Sequence, residues 1–113
     1  MAKTGIPNPL KRRHMIEQEM SASEALAVAE VYLEADRASE ALVFLVKAEA
    51  RDRMMILVEE AIVEGDAFLL KQLTDALEED PGEAAWERAT KAATAAGKDR
   101  YAEMARRHAR SGA

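Results

Sequence analysis

The side chains that could do chemistry in this chain are few, and their spacing does not assemble them. His14 and His108 stand near opposite ends, each among arginines (Arg12 and Arg13; Arg106, Arg107 and Arg110), and neither has a second histidine four residues away. Both the ligand set and the local charge are wrong for zinc. The chain has no cysteine, which excludes disulfides and thiolate metal sites. The acidic runs Glu59-Glu60 and Glu78-Glu79-Asp80 lack the glycine and the alternating oxygen ligands of a calcium loop. Two carboxyls could serve as acid and base only within a polar pocket, and no sequence feature supplies one. The five glycines fall singly at turns and ends, so no phosphate-cradling loop is present. The expectation is a protein without enzymatic activity, metal or cofactor.

A DNA-binding motif is the remaining specific chemistry to weigh. Ala93 and Gly97 have the Ala-x-x-x-Gly spacing of a helix-turn-helix, with Arg100, Arg106, Arg107 and Arg110 after it. The second helix of that motif needs a buried apolar residue six positions past the glycine, where Glu103 stands. A net charge of −5 also opposes attraction to nucleic acid or anionic lipid. Nucleic-acid binding is therefore less favoured than a protein-interaction or self-association reading. No stretch approaches the roughly 20 apolar residues of a membrane span, and residues 1 to 20 lack an apolar leader core. A cytoplasmic protein with no membrane partner is expected.

The elements that must carry any site are helical. Apolar residues make up 49% of the chain, but only five are aromatic, and alanine, the best helix former, supplies a large share. The one β-branched cluster, Ile56, Val58, Ile62 and Val63, lies inside a helical pattern. An all-α fold follows. Residues 1 to 20 read as a basic, mobile arm, with Gly5, Pro7 and Pro9 early and a segment from Leu10 to Met20 compatible with a short helix. Residues 21 to 113 form a single helical domain. Ser21 and Glu24 have the spacing of a capping box. Helices are predicted over 23–35, 38–50, 53–64, 67–79, from Asp80-Pro81-Gly82-Glu83 to Ala96, and 99–110. In the helix after Asp66, Phe68, Leu69, Leu73 and Leu77 are the expected core. In the Asp-Pro-Gly-Glu turn, Asp80 is expected at the cap and Pro81 at the first helical position. Polar or glycine breaks fall at Asp36-Arg37, Gly65-Asp66 and Gly97-Lys98-Asp99, 29 and 32 residues apart. That period describes repeated antiparallel helix pairs.

On these residues the segment 23–110 resembles degenerate tetratricopeptide repeats. The first pair supplies Ala29, Tyr32, Asp36, Ala41 and Ala48 at the family's spacings; the third supplies Trp86, Gly97, Ala102 and Ala109. The second is poorer, with Met54, Leu57, Ala61, Gly65, Leu70 and Leu77, and Leu70 stands where a small residue is usual. Another α-hairpin array or a compact bundle would leave similar marks. The resemblance implies three stacked antiparallel hairpins in a right-handed array. It also implies a concave groove lined by the first helix of each pair: Leu26, Glu30 and Leu33; Met55, Glu59 and Ile62; Glu87, Lys91 and Thr94. Such a groove has an apolar floor and an acidic rim, fitted to a peptide or amphipathic helix with Leu or Met anchors and Lys or Arg between them.

Charge is uneven along the chain: +2 over residues 1–20, −4 over 21–50, −6 over 51–80 and +3 over 81–113. Lys11, Arg12 and Arg13 could accordingly lie against the acidic rim of a neighbouring molecule. Two functional readings lead. One is a non-enzymatic interaction scaffold that binds a protein segment; the other is a self-associating building block, a dimer, using the same apolar surface.

Overall fold

The computed structural model describes residues 5–111. It is all-helical over those residues: α1 (Pro9–Glu17), α2 (Ala22–Glu34), α3 (Ala38–Lys47), α4 (Arg51–Glu64), α5 (Ala67–Leu77), α6 (Glu83–Ala95) and α7 (Asp99–Ser111). The chain forms two compact units, the first ending at Arg53 and the second beginning at Met54. The boundary thus falls within the range 21–113 that sequence groups together, and the basic segment belongs to the first unit.

Five helix ends close in the same way. At Asp36 (φ 65°), Gly65 (φ 71°) and Gly97 (φ 74°) the backbone turns left-handed, and the next residue reaches back five positions: Arg37 N–H to Tyr32 O, Asp66 N–H to Ala61 O, Lys98 N–H to Ala93 O. Glu49 (φ 53°) and Glu78 (φ 57°) close α3 and α5 with the same pair of bonds. This double closure satisfies carbonyls that a helix end otherwise leaves bare. The breaks read from sequence are therefore one backbone device recurring at 29 and 32 residues. Only at Gly65 is the absence of a side chain also a packing requirement, because a Cβ there would lie 2.5 Å from the Ala93 backbone nitrogen.

In the first unit α2 pairs with α3. Ser21 and Glu24 form the capping box, with the Glu24 N–H donating to Ser21 Oγ and the Ser21 N–H to Glu24 Oε1. Ala25, Ala29 and Ala41 are fully buried, and Tyr32 stacks on Phe44 with centroids 5.8 Å apart. Small residues at the contact let the two backbones come close. The short helix compatible with 10–20 is present as α1, capped by Asn8 Oδ1, which accepts from the Lys11 N–H. None of its residues is buried. It is held by Arg12, whose Nη2 donates to the Glu40 carbonyl and whose guanidinium lies 5.4 Å from the Tyr32 ring centre and 5.6 Å from that of Phe44. The Lys47 ammonium donates to the Gln18 carbonyl.

In the second unit α6 pairs with α7, and α5 packs on both. Trp86 is buried, stacked on His108 with centroids 4.5 Å apart. Two sequence expectations fail here. Asp80 does not cap α6: the cap position is Gly82, at φ 99°, and the helix starts at Glu83. Asp80 Oδ1 instead accepts from the Trp86 indole and the Gly82 N–H, so the indole, six residues away, competes for the carboxylate. Phe68 is not core; it is 53% exposed, because the buried stripe of α5 runs through Ala67, Leu69, Leu70, Leu73, Thr74 and Leu77 and leaves the second position of the helix outside.

Candidate partner-binding surface

α4 positions the surface. Its core stripe is Met54, Leu57, Ala61 and Ile62, all buried. At 100° per residue these side chains share one side of the helix, and the opposite side carries Ile56, Glu60 and Val63. A charged row would be ordinary there. Instead Ile56 is 53% exposed and Val63 62%, with Met55 (45%) on the flank. Gly65 closes the helix, and the Lys98 ammonium donates to the Glu64 carbonyl at 2.9 Å. Four large apolar side chains of one unit (Met55, Ile56, Val63 and Phe68) thus stand in solvent on α4 and the first turn of α5.

The residues expected to line a groove divide. Leu26, Glu30 and Leu33 belong to the first unit; Met55, Glu59, Ile62, Glu87 and Lys91 to the second. Leu26 and Met55 are exposed and Leu33 half-buried, as a binding surface requires. Ile62 is a correction: it is 4% exposed and part of the core stripe, so it offers nothing to a ligand. Glu87 and Lys91 are exposed and border, with Arg106 and Arg110 of α7, a groove of about 410 Å³.

The acidic rim is also corrected. Glu30 is bound by Arg53, with Nε to Oε2 at 2.7 Å and Nη2 to Oε1 at 3.2 Å. Glu59 is bound by Arg88 in the same two-pronged manner, at 2.6 and 3.2 Å. The hydrogen bond from Arg53 holds the Glu30 carboxyl below the usual range against the opposing effect of burial, and that from Arg88 does the same for Glu59. Two of the expected rim charges are neutralised within the chain. The free acid beside the apolar row is Glu60, with Glu64 next to it; neither carboxylate has an ion-pair partner among the described residues.

Of the basic segment, Lys11 is exposed, Arg13 pairs with Glu17 at 3.3 Å, and Arg12 is turned onto the aromatic pair of its own unit. Arg12 is thus engaged within the chain. Glu103, which decides the helix-turn-helix reading, is exposed and bonded to Arg106.

One polar cavity escaped the sequence. Lys71, Thr74, Asp75, Glu78, Glu79, Asp80, Trp86 and His108 enclose about 330 Å³. Its best-placed carboxylates are committed: Asp80 to Trp86 and Gly82, Asp75 to Lys71 at 2.8 Å. The Asp80 bonds tie the α5–α6 connection to α6, and the Lys71–Asp75 bond lies within α5. Among the described residues no group of three or more His, Asp or Glu is placed to hold a metal ion, and no helix is long and apolar enough to cross a membrane. No protein-family model, no curated protein and no solved structure matches this chain.

Proposed function

We propose that the protein is a non-enzymatic interaction module of helical-hairpin, tetratricopeptide-like type, and that its binding face is the outward side of α4. The observation that carries this reading is the exposure of Ile56 and Val63, seven residues apart and opposite the core stripe of the same helix. Exposed single apolar residues are ordinary; an aligned pair with Met55 and Phe68 nearby is a surface with a use. The recurring turn at 29 and 32 residues supports the repeat type.

The partner is an amphipathic helix or peptide with apolar anchors and basic residues, matched to the apolar row and to Glu60 and Glu64 beside it. The ion pairs on Glu30 and Glu59 take those two carboxylates out of the recognition. The test is to replace both Ile56 and Val63 by glutamate and compare affinity capture from the source cell's extract with that of the unaltered chain, with circular dichroism as the control for folding. Loss of specific partners with helicity intact is the expected result. Unchanged capture by the folded variant would remove α4 as the binding face.

A further inference from the structure

Two outward helix faces of the second unit carry complementary chemistry at one spacing. On α4 the exposed row is Ile56, Glu60 and Val63; on α7 the outward row is the exposed Arg100 and Arg107 with the half-buried Met104 between them. Both rows advance by four residues and then three, which keeps each on one side of its helix over about 10 Å. One reads apolar, acidic, apolar, with Glu64 alongside. The other reads basic, apolar, basic, with Arg110 one turn further on. Arg100, Arg107 and Arg110 are exposed and have no ion-pair partner among the described residues, in contrast to Arg106, which binds Glu103. Met104 is half-buried, and α7 turns Ala102, Ala105 and Ala109 inward.

Each face repels itself and attracts the other. Two copies of α4 laid antiparallel about the midpoint of Ile56 and Val63 would bring the unpaired Glu60 against its own counterpart. Two copies of α7 would oppose arginines. Like charges at such distances destabilise a helix contact. Laying α7 of one molecule along α4 of another, one step out of register, sets Met104 beside an apolar residue and Arg107 beside Glu60. The long arginine stems can lie over Ile56 and Val63 while their heads reach the carboxylates.

We infer that the occupant of the α4 face is the α7 face of a second copy of this chain. The inference rests on the reading of α4 as a binding face and adds the identity of what it binds. Because the two faces differ, the contact is head-to-tail: a molecule engaged through α4 keeps α7 free for the next.

The test is sedimentation of the full chain from micromolar to millimolar concentration at low and high salt, with Glu60→Arg and Arg107→Glu variants alone and mixed. The expected result is a mass that rises with concentration and falls with salt. Each variant alone sediments as a single chain, and an equimolar mixture regains association, since every α4–α7 contact between unlike variants again joins opposite charges at positions 60 and 107. A single-chain mass for the unaltered protein at every concentration overturns the inference, as does association that neither reversal weakens or a mixture that stays dissociated. The capture experiment with Ile56 and Val63 replaced separates the two claims. Lost capture beside a monomeric parent leaves the α4 face standing and removes only the second copy as its occupant.

Discussion

Gly65 and Ala93 meet backbone to backbone: a Cβ on residue 65 would stand 2.5 Å from the Ala93 nitrogen and 2.7 Å from its Cα. Gly97 has nearly the same left-handed φ, 74° against 71°, with open space where its Cβ would be. The pair separates two costs that usually arrive together. Gly97→Ala should lose about 1 kcal/mol, the strain of a left-handed alanine. Gly65→Ala should lose several-fold more, because α4 and α6 must also part. Urea unfolding of both variants measures the difference, and equal losses would show that the close approach is relaxed at no cost.

Ile56 and Ile62 lie on one helix and meet opposite fates. Ile62→Ala should cost about 2–5 kcal/mol as a core truncation, whereas Ile56→Ala should stay within about 0.5 kcal/mol of the parent. Chemical denaturation tests both. A large loss at Ile56 would mean that its side chain is packed in the free protein.

Acid should weaken the fold through its ion pairs. Glu30, Glu40 and Glu59 are each held below the usual carboxyl range, chiefly by hydrogen bonds from Arg53, Arg37 and Arg88. A carboxyl lowered by folding contributes stability that is fully present above its unfolded value and is lost as pH falls through its folded value. Stability should therefore be flat near neutrality and decline from the ordinary carboxyl value downward. Glu30→Gln should flatten part of that decline. Urea midpoints taken from about pH 7 to pH 3 check it, and identical pH profiles for parent and variant would discount the Arg53 pair.

Arg12 fastens a helix that buries none of its own residues. Arg12→Met should raise hydrogen exchange throughout α1 while leaving α2 and α3 protected, since the cation over the Tyr32 and Phe44 rings is worth about 0.5–2 kcal/mol. Arg12→Lys should rescue little, because a compact ammonium cannot stack and reach the Glu40 carbonyl together. Unaltered exchange in α1 of either variant would place its attachment elsewhere.

What could be read from the sequence was local. Ser21 and Glu24 are three residues apart and find each other without help from the rest of the fold, and the left-handed turns at Asp36, Gly65 and Gly97 announce themselves through residue type. The misreadings arise where a distant group intervenes. Asp80 has every local credential of a helix cap, yet the Trp86 indole takes its oxygen. Glu30 and Glu59 look like a free acidic rim until arginines 23 and 29 residues further on close over them. Ile62 and Phe68 carry the apolar character that suits either a core or a surface; only the angle of the buried stripe decides which, and it places the isoleucine inside and the phenylalanine outside.

Trp86 is the only tryptophan in the chain, and it lies in the second unit, buried against His108. Its fluorescence is thus a private optical channel for residues 54 onward, while far-ultraviolet dichroism sums the helices of both units. The unlabelled protein can therefore be asked whether its two units melt as one. Coincident denaturation curves from the two signals would describe a single cooperative body. Displaced midpoints would mean that the boundary at Arg53 and Met54 is also a boundary in stability, with each side open to adjustment without disturbing the other.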